Sequence, residues 1–255
     1  MLLCVDIGNT NVVFGIHHRG QWVAHWRMRT VPDKMADEYA VLLKEFLRDR
    51  DIQLTDIRRV ILSSVVPPLT GVFRELCQRY VGRPPLVLGP GVRTGLNIRT
   101  DNPAEVGADL IANAVAAYDR FRHNCIVVDF GTATTFSAVA EPGEFLGVAI
   151  APGLNLAADA LAGRTAQLPR VHLEAPPAAI GKNTVHSMQS GLIFGYVGLT
   201  EGLIRRLRGE LGGRASVIAT GGLAQVIAPL TPEIEVVEPW LTLDGLRLIA
   251  ERNPS

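Results

Sequence analysis

Before residue 30, apolar and polar positions fall into three short runs rich in β-branched and aromatic residues, at 2–5, 12–17 and 22–29. Gly8-Asn9-Thr10-Asn11 and a turn at Arg19-Gly20 separate them, so the pattern predicts three strands joined by hairpins and therefore antiparallel. The period then changes. Tyr39, Leu42, Leu43, Phe46 and Leu47 fall at i, i+3, i+4, i+7 and i+8, which is one face of an amphipathic helix over 37–49. A strand at 60–62, a helix near 69–80 and a strand at 86–88 follow. Asn102-Pro103-Ala104-Glu105 combines an N-cap residue, a first-turn proline and an acid in third place, and predicts one helix running to about residue 121. The first half reads β-β-β-α-β-α-β-α.

The second half repeats that order. Strands are predicted at 125–129, 134–139 and 145–150, then a helix after Pro152-Gly153 and a long apolar helix over 183–207. A strand at 216–219, a helix after Gly221-Gly222, a strand-like run at 234–237 and a closing helix from Leu243 complete the chain. Val5-Asp6-Ile7-Gly8-Asn9-Thr10 aligns without a gap with Val128-Asp129-Phe130-Gly131-Thr132-Ala133, Asp and Gly both keeping an offset of 123 residues. Shared order and shared motif predict an internal duplication, with lobes at 1–122 and 123–255. Two helix-covered sheets with a ligand cleft between them are the expected α/β architecture.

The chain has 255 residues, 47 % of them apolar, and 25 Lys+Arg balance 25 Asp+Glu. That is enough to bury a sizeable core, and it leaves no basic footprint for nucleic acid or an anionic membrane. Met1-Leu2-Leu3-Cys4-Val5-Asp6 has no basic lead and reaches an acid early, so export is not expected. The most apolar stretch, Gly191 to Ile204, is interrupted by Thr200 and Glu201; it falls short of a membrane span and reads as a buried helix. Cys4, Cys77 and Cys125 are odd in number and far apart, which suits free buried thiols in a reducing, cytoplasmic setting. The six histidines show no metal-ligand spacing, so no zinc is expected.

Each copy of the repeat sets an Asp at a strand end, then a Gly and a hydroxyl or amide residue in a tight turn. Gly allows close backbone approach, successive N–H groups can cradle phosphate oxygens, and Asp can hold Mg²⁺ through water. A single copy could equally be a plain hairpin; two copies favour phosphate. There is no Gly-x-x-x-x-Gly-Lys-Ser/Thr loop, no Gly-x-Gly-x-x-Gly opening a helix and no Gly-x-Ser-x-Gly. Ala219-Thr220-Gly221-Gly222 marks a strand-to-helix junction, either a generic turn or a place of close approach to a nucleoside. On a helix opened by Pro103, Glu105, Asp109 and Asn113 would share one face at four-residue spacing, with Ala108, Ile111, Ala112 and Val115 as the apolar stripe. The acid neighbour should raise the carboxylate pKa; the face is either merely solvated or kept for proton transfer. Gly191, Gly195, Gly198 and Gly202 allow close helix approach, within a lobe or between subunits.

Taken together, Asp6-Ile7-Gly8-Asn9-Thr10-Asn11, the run from Asp101 to Asp109, Asp129-Phe130-Gly131-Thr132-Ala133-Thr134 and Gly181-Lys182-Asn183-Thr184-Val185 with Ser187 to Gly191 resemble the type III pantothenate kinases. That family belongs to the superfamily of actin, sugar kinases and heat-shock chaperone ATPases, so the resemblance implies two duplicated ribonuclease-H-like lobes. It further implies ATP-dependent phosphorylation of pantothenate, the first step towards coenzyme A, by a homodimer using Mg²⁺ and a monovalent cation, K⁺ or NH₄⁺. By position, Asp6, Ile7, Gly8, Asn9, Thr10, Asn11, Val12 and Val13 match the ATP phosphate hairpin and Thr132 a second ATP contact. Asp129 matches the monovalent-cation ligand and Asp109 the general base. Gly107, Ala108, Asp109 and Leu110 fall on the pantothenate stretch, with Thr184 as a further contact. Two positions depart: Leu110 stands where the family usually has Arg, and Thr100 where it often has an aromatic. Arg93 or Arg99 would then have to neutralise the anion that such an Arg meets. The alternative these departures allow is a nucleotide-binding regulatory homologue without catalysis.

Overall fold

The computed structural model describes residues 1–254. In chain order the elements are β1 (Leu2–Ile7), β2 (Asn11–His18), β3 (Gln21–Arg29), α1 (Ala36–Arg48), β4 (Arg59–Ser64), α2 (Pro67–Leu76), β5 (Leu86–Val87), β6 (Asn97–Ile98) and α3 (Ala108–Phe121). There follow β7 (Cys125–Phe130), β8 (Ala133–Ala140), β9 (Glu144–Pro152), α4 (Leu154–Gly163), α5 (Thr184–Gln189), α6 (Gly195–Glu210), β10 (Ser216–Thr220), α7 (Ala224–Ile227), β11 (Val236–Val237) and α8 (Leu241–Arg252).

These strands form two sheets, ordered β3-β2-β1-β4-β5 and β11-β10-β7-β8-β9-β6. In each sheet three hairpin-linked strands are antiparallel, and the strand that returns after a helix pairs parallel with the first, as the connection lengths require. The duplication reaches well beyond the motif. β1 and β3 recur 123 residues on as β7 and β9, with six and nine residues each. The β2–β3 ladder slips at Ile16/His17 and the β8–β9 ladder at the corresponding Ala138/Val139. The second copy has a hairpin one residue shorter, 131–133 between Phe130 and Thr134 against 8–11 between Ile7 and Val12.

In the first sheet, alternation decides which face each residue meets. Leu3, Val5, Ile7, Phe14, Val60 and Leu62 pack with Tyr39 and Leu43 of α1 and Leu69 and Phe73 of α2. Phe73 lies 4.8 Å from Tyr39 and 6.0 Å from Phe14, ring centre to ring centre. Cys4, Gly15 and Ile61 occupy the other face, which α8 covers. The three thiols are free and buried, and burial pushes their pKa values up.

The chain divides into two compact units, and they are not the contiguous halves 1–122 and 123–255. One comprises 1–96, 101–116 and the segment from Leu241 onward; the other comprises 97–100 and 117–240. α8 belongs to the first because the sheet face carrying Cys4 and Ile61 needs an apolar cover, and Leu243, Leu246 and Ile249 provide it. Residues 97–100 belong to the second because β6 pairs in parallel with β9, Asn97 opposite Glu144 and Ile98 opposite Phe145.

Three predicted helices are interrupted. Asn102 accepts from the Ala104 N–H and donates to the Glu105 carboxylate, closing a 3₁₀ turn over Pro103–Glu105. The chain is extended at Val106, and α3 starts only at Ala108. Helix 183–207 is α5 and α6 separated by a π-type turn over Ser190–Phe194, and helix 69–80 passes from α2 into a π-type turn over Cys77–Val81. Gly191, Gly195, Gly198 and Gly202 face open space, so they serve no helix contact within a lobe. Among the described residues no helix is long and apolar enough to cross a membrane.

Candidate active site

The first hairpin is held from beneath. Gly8 donates its N–H to the Asn11 carbonyl (2.9 Å), while Thr30 at the end of β3 donates its hydroxyl to Gly8 O (2.7 Å) and its N–H to Thr10 O (2.9 Å). Asn9 and Thr10 are thereby presented at an exposed tip. Ile7 and Val12 are fully buried in the core, so only their backbone atoms could meet a ligand; Asp6, Asn11 and Val13 are half-buried. Asp6 lies opposite Ser63 in the parallel β1–β4 ladder, on the face away from Ile7.

Asp109 sits in the first turn of α3, where the helix dipole favours a negative charge. Its Oδ1 accepts from the Leu110 N–H at 2.8 Å. Burial raises its pKa above the usual carboxylate range, and backbone hydrogen bonds from Leu110 and Asp109 only partly offset that. Glu105, the expected cause, is exposed on the preceding 3₁₀ turn and occupied with Asn102. Asn113 is fully buried and accepts from Thr242 Oγ1 at 2.7 Å. The expected acidic face of one helix therefore does not exist: the break at Val106-Gly107 removes Glu105, and packing against α8 takes Asn113. A Cβ on Gly107 would fall 2.5 Å from Asp109 Oδ1 and 3.6 Å from Val65 Cγ1, so any larger residue there would have to turn the Asp109 carboxylate from its present place. Val65 donates its N–H to Ile7 O and so continues the β1–β4 ladder. Asp6 and the Gly107–Asp109 corner thus share one face and one end of the first sheet, while Ala108 and Leu110 are half-buried beside them.

In the second unit Asp129 is the next-to-last residue of β7, as Asp6 is of β1. A Cβ at Gly221, where φ is +90°, would lie 2.5 Å from Asp129 Oδ1 and 2.6 Å from Phe130 C; one at Gly131 would lie 3.4 Å from the same oxygen. The Asp129 carboxylate is therefore closely approached by the backbone of Gly221 and Gly131. Among the described residues no three His, Cys, Asp or Glu gather as a metal cage; Mg²⁺, which one carboxylate and substrate phosphates can hold, fits Asp6 in this respect. Thr132 is exposed at its hairpin tip, and its carbonyl accepts from Gly153 N–H at 3.1 Å. Gly153 stands 123 residues after Thr30 and does the same task. Thr30 and Gly153 escaped the sequence reading, although extending the repeat past the motif would have found them.

Thr184 opens α5 behind Asn183, whose side chain accepts from His186 N–H at 2.8 Å. With Lys182, Ser187, Leu161 and Leu192 it lines a cavity of about 730 Å³ in the second unit. Arg99 is ion-paired with Glu144 at 2.9 Å.

The type III pantothenate kinase family model matches residues 2–206. The chain belongs to the type III pantothenate kinases. A type III pantothenate kinase of Moorella thermoacetica is 52 % identical to it, over 99 % of this chain and all of that protein. That of Geobacter sulfurreducens is also 52 % identical, over 99 % of both chains. A Baf family protein of Campylobacter jejuni has the same fold with a TM-score of 0.62 at 18 % identity, covering 99 % of this chain and 98 % of its own. The ethanolamine utilization protein EutJ of Carboxydothermus hydrogenoformans gives 0.55 at 16 %, covering 97 % and 89 %. The ribonuclease-H-like duplication is the fold of this wider group, and type III pantothenate kinases are phosphotransferases that use ATP with a divalent metal.

Proposed function

We infer that this protein transfers the terminal phosphoryl group of ATP to the primary hydroxyl of pantothenate, releasing ADP and 4′-phosphopantothenate, the first step towards coenzyme A. The observation that carries the mechanism is the half-buried Asp109 carboxylate, whose raised pKa matches a group that must accept a hydroxyl proton. Asp109 takes that proton as the hydroxyl oxygen bonds to the γ-phosphorus and the bond to the β-phosphate oxygen breaks; the proton then leaves to water. The Asp6–Val13 hairpin positions the ATP phosphates through its backbone, with Thr132 as a second nucleotide contact. Mg²⁺ bound near Asp6 would neutralise charge on the phosphates. Asp129 is the ligand for K⁺ or NH₄⁺. Gly107, Ala108, Leu110 and Thr184 hold pantothenate. Because Arg99 is engaged by Glu144, Arg93 is the remaining cation of the two considered in place of an Arg at 110.

A homodimer in the cytoplasm is the working assembly. Its support is the exposure of Ile150 (67 %), Leu156 (54 %) and Ile180 (82 %) together with the open glycine face of α6. Coupled ADP release with ATP, Mg²⁺ and pantothenate, run in K⁺ and again in Na⁺, tests the whole reading. Pantothenate-dependent, K⁺-stimulated turnover with a product of phosphopantothenate mass is expected. Nucleotide binding without turnover would instead identify a regulatory homologue, for which Leu110 is the motivating residue.

A further inference from the structure

Ser63 is fully buried in β4, and its hydroxyl has no hydrogen-bond partner among the described residues. Its neighbour Ser64 shows the ordinary case, bonding Val66 N–H and accepting from Thr70. A hydroxyl removed from water without a partner destabilises a fold and calls for an account. Position supplies one. Ser63 is the in-register parallel partner of Asp6, and partners in a parallel pair project to the same face. Two residues on, on that face, Val65 reaches the Gly107–Asp109 corner. The same pairing recurs in the second unit, where Asp129 stands opposite the buried hydroxyl residue Thr220.

We propose that Ser63 is a positioning residue of the nucleotide site: its hydroxyl donates to the Asp6 carboxylate, directly or through one water, and holds that carboxylate towards the divalent cation carried by bound nucleotide. The proposal rests on the phosphate-binding role given to the Asp6 hairpin. A hydroxyl suits that position because an apolar side chain could not donate to Asp6, and a second carboxylate would repel it.

Ser63→Ala tests this, since it removes a single buried hydroxyl and leaves the core packing intact. Its melting temperature should stay close to that of the unaltered protein, because the lost hydrogen bond and the relieved burial of a hydroxyl largely offset each other. Its kcat should fall, and the Mg²⁺ concentration for half-maximal rate rise, each by about 10-fold, with the pantothenate KM unchanged. Calorimetry of ADP binding should show weaker affinity in Mg²⁺ and equal affinity in EDTA. Ser63→Thr, the residue of the other copy, should recover most of both losses. Unchanged Mg²⁺ dependence and unchanged calorimetry in Ser63→Ala would overturn the proposal. If the unaltered protein shows no pantothenate-dependent turnover, the kinase reading fails separately, and the calorimetric comparison still decides the role of Ser63.

Discussion

Asp109 loses water as α3 begins, and that loss sets its chemistry. The sequence marks the residue through the Glu105–Asp109–Asn113 spacing, yet the raised proton affinity comes from burial and not from a neighbouring acid, because spacing cannot reveal a break at Val106-Gly107. The distinction has a measurable sign. A carboxyl with a raised folded-state pKa keeps its proton to higher pH than the unfolded chain does, so the native state binds more protons and stability falls as pH rises through that window. Asp109→Asn should therefore melt higher than the unaltered protein at pH 7, with the advantage vanishing as pH drops below the ordinary Asp range near ~4. The same variant should lose about 10²–10⁴ in kcat while nucleotide affinity is retained. Melting curves across pH check the first statement; if the asparagine variant melts lower at pH 7, the hydrogen bond from Leu110 outweighs burial. Near-normal turnover would remove Asp109 from proton transfer.

At the scale of elements, the long hairpin strands and α1 are plain in the sequence because their side-chain period is local information. β5 and β11, two-residue edge strands, fall inside the apolar runs at 86–88 and 234–237 that the pattern marks, whereas the equally short β6 exists only because β9 offers it hydrogen bonds, and no local pattern announces it. The N-cap pattern at Asn102 is real, but it closes a 3₁₀ turn and not the helix that carries Asp109. Close approach between elements is equally hidden. A Cβ on Gly153 would lie 2.2 Å from Thr132 O and 2.6 Å from Gly131 O, so Gly153→Ala must push β9 and the second hairpin apart. Such backbone overpacking costs about 1–3 kcal/mol, and the displacement should raise the KM for ATP more than that for pantothenate. Gly209→Ala serves as the control: nothing lies within 4 Å of its Cβ position on α6, and a helical Gly→Ala change there should stabilise by about 0.5–1 kcal/mol. Equal kinetics in the two variants would show that the second hairpin is not a nucleotide contact.

For the whole molecule, the repeat of 123 residues makes two lobes legible, but it does not say which helix covers which sheet. The first sheet buries one face with its own α1 and α2 and borrows the cover for the other from the far end of the chain. Leu241, Leu243, Leu246 and Ile249 of α8 are all at most 2 % exposed, and burying four such side chains contributes on the order of 10 kcal/mol, comparable to the entire stability of a domain, about 5–15 kcal/mol. Polar contacts add to the clasp. Trp22 Nε1 donates to Asp244 Oδ1 at 2.8 Å, Asn253 Nδ2 donates to Arg93 O at 2.8 Å, and Arg59 bonds the carbonyl of Asn253 at 2.7 Å. A fragment of residues 1–122 therefore lacks half of its core cover, whereas the same fragment joined through a flexible linker to residues 241–255 has it restored. The first should show little cooperative unfolding by circular dichroism and broad, collapsed amide resonances; the second should melt cooperatively. A well-folded 1–122 fragment would mean that α8 is dispensable, and that the copies behave as contiguous halves after all.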